Sequence, residues 1–400
     1  MAFQTGNNVS VRYKVQSGLG SPASGSGSKE LPIVASGGLV PQKAAIESPE
    51  VRADGMTAIG RHGSRSVGGD YSAVVRVGAI DELIEAAARG TWSAAASITE
   101  ADMTSITTTA TTIVAAAGSW LAEGVAAGDV IRLANHATAS NNNKNIPVVS
   151  VTTSTITVPA GYLTLDATPD TAFTLTRLRR VTNDVPPVAR YFTFEEYHAD
   201  IDQSELFTDC VVSSLNLAMA ADDTVRATFG IVGRQFEAKA TGNSPVLTSP
   251  TQYLAQNLVA TDAVILKNGV AITELTGFEM TLDMGAATLP TIGSTLSPDV
   301  FPNNSTLSGS FSLVRSDLSY LSAFADEDIL SLFFLLKEPE AEPADCLGVY
   351  IPYLKLMSAP DAPLGGDGAM ISTVNWVAGK QPTATGKLES MITFSTSVNP

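Results

Sequence analysis

Glycoside hydrolysis needs two carboxyl groups facing each other across one cleft. Three acidic pairs offer that residue type: Glu195 with Glu196, Asp222 with Asp223, and Glu340 with Glu342. Sugar-stacking aromatic residues are scarce at 6% of the chain, so the pairs read as solvated loops. Metal chemistry needs His, Cys or carboxylates at ligand spacing. His62, His136 and His198 stand far apart, outside any HExxH pattern, and read as turn or surface residues. Cys210 and Cys346 have no close partner in sequence and read as buried, reduced thiols. No GxSxG elbow occurs. GGDG at 365–368 hints at a calcium turn but lacks alternating Asp or Asn ligands. SGLGSPASGSGSK (17–29) misses the phosphate-loop pattern GxxxxGK and has no apolar strand leading in, so it reads as a Gly/Ser arm. No catalytic residue, metal or cofactor is expected.

Lys plus Arg number 24 and Asp plus Glu number 40, a formal charge of −16 over 400 residues. Charged residues make up 16% and apolar ones 44%, which excludes the charged, apolar-poor class of disordered chains. The length exceeds one compact core. An acidic excess argues against gripping nucleic acid through its phosphates and leaves repulsion or passage. Residues 1–14 contain no apolar signal core, and no run of about 18 apolar residues could span a bilayer. The reading is a soluble chain kept in a reducing cytoplasm, with no membrane partner.

The elements that would position any site are mostly strands. Tyr71, Ala73 and Val75 alternate with polar neighbours, and Ile80, Leu83, Ile84 and Ala87 then recur at helical spacing before Gly90. Residues 97–180 are Thr-rich, 17 of 84, with short β-type runs at 128–133, 146–151, 154–158 and 172–177. They read as an inserted small β-domain. Beyond it, 190–199 is a strand and 210–233 a hairpin. GFEMTLDMG (277–285) alternates cleanly, LSGSFSLV (307–314) leads to a helix capped by Asp317, and 329–338, 348–357 and 369–379 are further strands.

Two stretches share one order of elements. GGDYSAVVRVGAIDELIEAAARG (68–90) matches SGSFSLVRSDLSYLSAF (308–324), and the blocks 192–233 and 332–379 each carry an apolar strand, an acidic loop, an Asp-Cys pair and a hairpin. The expected organisation is an N-terminal arm (1–47), a first module (48–96 and 181–240) interrupted by the insert (97–180), a linker (241–270) and a second module (271–400). The fold class is mainly β.

The runs SPEVRADGMTAIGRHGSRSVGGDYS (48–72), IDELIEAAARGTW (80–92) and FTDCVVSSLNLAMAADDTVRATFGIVG (207–233) resemble the major tail tube proteins of long-tailed bacteriophages. The likeness covers roughly 30–95 and 185–400, and the insert is similar to small β-domains carried by some of these proteins. It implies β-sandwich or barrel modules, each flanked by a short helix, closing into rings that stack into the tube through which the genome leaves the virion. With two modules per chain, three chains complete a pseudo-sixfold ring; hexameric rings are the alternative. Expected partners are further copies, the tail tip or initiator, the tail terminator, the tape-measure protein and transiting duplex DNA. Expected location is the virion tail, after assembly in the host cytoplasm.

An acidic wall would repel phosphates. Glu279, Thr281 and Asp283 are the candidates for that face, with Glu50, Arg52 and Asp54 as counterparts in the first module. Gly18, Gly20, Gly25, Gly27, Arg61 and Arg65 are candidate inter-ring contacts, on the expectation that the arm is flexible until rings stack. The insert is expected to project outward as an appendage. A competing reading, a non-catalytic multi-domain β adhesin, requires an export signal and no duplication.

Overall fold

The computed structural model describes residues 3–339, 342–359 and 368–397. Glu340 and residues 365–367 of the GGDG turn lie outside them. Eight antiparallel strands pair side by side in the order Ile33–Ile46, Arg61–Val74, Arg226–Gly233, Gln203–Ala220, Leu275–Asp283, Thr306–Val314, Ile371–Ala378 and Cys346–Leu356. Period-two sequences make them: RATFGIVG buries Ala227, Phe229 and Ile231 and turns Arg226, Thr228 and Gly230 outward. Phe278, Met280 and Leu282 are likewise buried between Glu279, Thr281 and Asp283.

The first four strands and the last four are two copies of one pattern. Both copies of the strand before the helix carry a Gly that touches its neighbour's backbone. A Cβ on Gly69 would lie 2.1 Å from the Gly38 carbonyl oxygen, and one on Gly309 would lie 2.1 Å from that of Glu279. A second layer repeats too. Val9–Val15 pairs with Phe192–His198, which pairs with Gln203–Ala220, as Val264–Lys267 pairs with Leu330–Lys337, which pairs with Cys346–Leu356. Even the irregularity recurs, between Phe192 and Phe194 and between Leu330 and Leu332.

That register corrects one expected match. Phe192 faces Cys210 and Leu330 faces Leu354, whereas Cys346 faces Lys337. The two Asp-Cys pairs therefore occupy different positions, since local similarity of apolar strands does not report cross-strand register. Two boundaries shift as well. Val9–Val15 and Ile33–Ile46 are strands of the first unit rather than an arm, and Val264–Lys267 puts the start of the second unit inside the 241–270 stretch.

Helix Asp81–Ala88 turns Leu83, Ile84, Ala87 and Ala88 into the core and ends at Arg89, whose φ is +52°. Gly90 is required for closeness rather than for a left-handed turn, because a Cβ there would meet the Thr182 carbonyl oxygen at 1.8 Å. The helix of the second unit, Ser319–Ala325, begins after Asp317, whose carboxylate accepts the Ser319 amide at 2.8 Å.

Between the two layers, Phe278 meets Phe334 at 4.2 Å between ring centroids and stacks on Trp376 at 5.9 Å. Phe333, next in the strand, points the other way and joins Val130, Leu178, Leu266, Leu335 and Cys346 in a separate apolar cluster. Val130 and Leu178 come from the insert. Its own core gathers Trp120, Ile131, Leu133, Ile156, Phe173 and Leu175 between a five-stranded and a four-stranded sheet. Inserted in the first unit, it docks on the second, where Arg132 and Asn145 donate to the Ala344 carbonyl at 2.6 and 2.8 Å. The expected free appendage is thus a packed cover. Its outgoing strand Arg179–Thr182 pairs with Thr393–Thr396.

Candidate functional site

One face of the eight-stranded sheet is packed, and the other is open and polar. Across the open face, strand by strand, stand Ser72, Thr228, Asn216, Thr281 and Ser308, the last facing the exposed Val377, with Asn375 opposite Ser310 and small neighbours such as Gly230 and Ala218 beside them. Side chains of this size follow from alternation: each sits one residue away from a buried apolar partner. Thr228 bonds Ser72 and Asn216 bonds Thr281 within the face. The Asn216 amide donates to Glu279 Oε1 at 2.8 Å and to Thr281 Oγ1 at 3.0 Å.

Charge on this face is sparse and one-sided. Its carboxylates are Asp70, Glu279 and Asp283, and its cations are Arg226 and Lys355. Arg226 pairs with Asp223 at 3.3 Å and Lys355 with Glu327 at 3.0 Å. Among the described residues, no ion pair forms at Asp70, Glu279 or Asp283. Among the described residues such a wall offers hydroxyls, amides and unpaired negative charge, but no free cation to hold a phosphate.

Glu279, Thr281 and Asp283 stand together on this face, as the alternation indicated. Glu50, Arg52 and Asp54 do not match them. They lie in the exposed connection between Ile33–Ile46 and Arg61–Val74, where Arg52 donates to Asp54 at 2.9 Å and holds that carboxyl below its usual range. The register-equivalent residues are Gly38, Val40 and Gln42, which face Asp70, Gly68 and Ser66 as Glu279, Thr281 and Asp283 face Ser310, Ser308 and Thr306.

The Gly/Ser arm is folded onto the first unit. Gly20 N–H donates to Asp209 at 2.7 Å, Ala23 N–H to Thr193 Oγ1 at 2.9 Å, and Gly25 N–H to the Val246 carbonyl at 2.9 Å. Gly18 accepts from Ser21 at 3.2 Å, and Gly27 carries a φ of +81° beside Lys14. Free flexibility does not describe it, because these backbone groups are matched within the chain. Arg61 and Arg65 lie on the hairpin stem, and Arg65 N–H donates to the Thr295 carbonyl at 2.9 Å.

The acidic pairs divide. Asp222 and Asp223 form the expected exposed turn. Glu195 is fully buried on its strand and accepts Val246 N–H and Leu247 N–H, both at 2.7 Å. Glu196 accepts Tyr71 O–H at 2.6 Å and Leu39 N–H at 3.0 Å. These two hold structure and are not a solvated pair, because amides far off in sequence reach them. Glu342 pairs with Lys337 at 3.2 Å.

His136 is buried, accepting Thr138 N–H at 3.0 Å, rather than a surface residue. Burial raises both thiols, Cys346 to about 12, so neither is a ready nucleophile. Among the described residues no group of three His, Cys, Asp or Glu could hold a metal ion.

Sequence reasoning named Thr281 but missed the other hydroxyl and amide members of the polar face. Counting outward positions in the hairpin already recognised at 210–233 would have found Ser214, Asn216 and Thr228.

No curated protein matches the chain. A family model described as phage tail tube protein matches residues 6–378, and the chain belongs to that family, whose members are structural components of the virion tail.

Proposed function

We propose that three copies close side by side into a ring, that their sheets join in one barrel, and that the hydroxyl-rich face lines a bore for duplex DNA. The observation that carries this reading is the open face itself: eight strands from both units present one continuous wall, mostly polar with Val40, Ile371 and Val377 as exposed apolar members, whose two cations are already paired. Phosphates spaced about 1.7 Å apart along a duplex meet nothing there to hold them. The wall is only weakly acidic; small neutral groups do most of the lining.

Ring size follows from strand number. At ~4.8 Å between strands tilted by ~40°, three chains give a barrel roughly 50 Å across between backbones. Side chains then leave room for a hydrated duplex. Six chains would double that width, and two would bring the wall onto the duplex, so three is favoured.

In this arrangement the insert, on the far side of the core from the polar face, lies on the tube's outer surface. The exposed Val51, Met56 and Ile59 beyond the Arg61 and Arg65 stem meet the next ring. The tip initiator and terminator cap the ends of the tube, and the tape-measure protein fills the bore before DNA does. No catalysis is involved. Electron micrographs of the concentrated protein test this. Rings with threefold averages and six outer lobes in two alternating kinds are expected; true sixfold rings, or no rings, contradict it.

A further inference from the structure

We infer that a cavity in the first unit binds a primary alkylammonium group, carried by a free diamine or by a lysine side chain of another copy. Strands Phe192–His198 and Gln203–Ala220 set Glu196 directly opposite Glu205, and His198 opposite Gln203. Side chains directly opposite share one face with Cβ atoms ~4.5–5.5 Å apart, where two like charges are destabilising. Among the described residues neither carboxylate has a Lys or Arg partner. Glu196 accepts Tyr71 O–H and Leu39 N–H, and Glu205 Oε1 lies 3.5 Å from His198 Nε2. That contact assigns the imidazole proton to Nε2 and leaves Nδ1 as a lone-pair acceptor. His198 Nδ1 is buried with no hydrogen-bond partner among the described residues, and so is Gln4 Oε1. Gln4 is held in place: its Nε2 donates to the Thr5 carbonyl at 2.7 Å, and Thr5 and Asn8 are both tied to Asp200.

Gln4, His198 and Glu205 line one cavity of about 440 Å³, whose apolar wall includes Ile201, Phe207 and Phe236. The atoms there select the ligand. Two orphaned acceptors and a pair of facing carboxylates lack donors and a positive charge. An ammonium supplies both, with three N–H groups on one compact charge, and the apolar wall takes its carbon stem. A neutral hydroxyl ligand would leave the two carboxylates uncompensated. A bare metal ion finds no ligand set, since no group of three His, Cys, Asp or Glu among the described residues could hold one. Lys43 does not fill the role. Its Nζ is held over the Phe236 ring, 5.8 Å from the centroid, and it forms no ion pair with Glu196 or Glu205 among the described residues.

Putrescine, with butanediol as its neutral match, tests this on the full chain. The chain has only three histidines, so the ring-proton signal of His198 is readily followed by NMR and assigned by its loss in His198→Asn. Putrescine should shift that signal saturably, and butanediol should not. Glu205→Gln removes the like-charge pair, so this variant should melt higher than wild type without ligand and bind putrescine roughly tenfold more weakly. No saturable shift in wild type, an equal shift with butanediol, or undiminished binding by Glu205→Gln overturns the proposal. Assembled protein then separates the two sources. Tubes that still take up putrescine identify a free amine as the ligand, whereas binding by monomers and not by tubes places a lysine of another copy in the cavity.

Discussion

Thr228 donates its hydroxyl to Ser72 at 3.0 Å, and one repeat later the hydroxyls of Thr373 and Ser312 lie at the same 3.0 Å. Both pairs sit beside an aromatic residue of the strand before the helix, Tyr71 and Phe311. The repeat thus includes cross-strand partners on the open face as well as strand order. A hydroxyl pair on an exposed face contributes about 0.2–1 kcal/mol. Its recurrence at one register fixes which residues of the two units are equivalent.

The insert packs against the second unit through Val130 and Leu178. Removing 97–180 strips Val130 and the Arg132 and Asn145 bonds from the cluster around Phe333, so the excised protein should aggregate rather than give a smooth tube. A milder version is Gly128→Ala. Gly128 has a φ of +87°, and a Cβ there would lie 2.0 Å from the Tyr350 ring. The variant should lose about 2–4 kcal/mol in denaturant melts. An unchanged midpoint would mean that the docking is dispensable.

On the open face, Glu279→Lys with Asp283→Lys adds two cations where none is free. Assembly should survive, because both side chains are exposed. DNA release from reconstituted particles should slow several-fold at low salt and recover as salt rises. Kinetics identical to wild type at low salt would place these residues away from the DNA path.

Asp81 opens the first helix with one carboxylate oxygen buried and unpartnered. Burial raises its pKa to about 6, with Lys29 and Arg179 opposing. A raised carboxyl pKa means that the folded state holds the proton more tightly. The stability this group contributes is present below about pH 4 and is lost as pH climbs to about 6. Asp81→Asn should therefore melt higher than wild type at pH 7, by at most about 3 kcal/mol, and the two should converge near pH 4. A constant offset across that range would exclude the titration.

Alternation made much of the sheet legible. Phe278, Met280 and Leu282 against Glu279, Thr281 and Asp283 identify a half-buried strand with its polar side, and the hairpin 210–233 is as direct. Strand Ile33–Ile46 escaped notice because Gly37, Gly38 and Pro41 interrupt its pattern, though each has a use at an edge. Glu195 and Glu196 are polar by type and buried by tertiary context; the amides of Val246 and Leu247 that satisfy Glu195 lie some fifty residues downstream. Glu50, Arg52 and Asp54 lie in a connection and not at the positions equivalent to Glu279, Thr281 and Asp283, because chain order does not convey register. The docking of the insert on the second unit has no local signature, since Val130 and Phe333 look like ordinary strand residues until they meet.

A reconstruction of the assembled tube at side-chain resolution tests the central claim most directly. Expected is a twenty-four-strand barrel from three chains, with Glu279, Thr281 and Thr228 pointing to the axis and the insert outside. A tube whose bore is lined by the insert, or in which the face bearing Glu279 packs between rings, would contradict it.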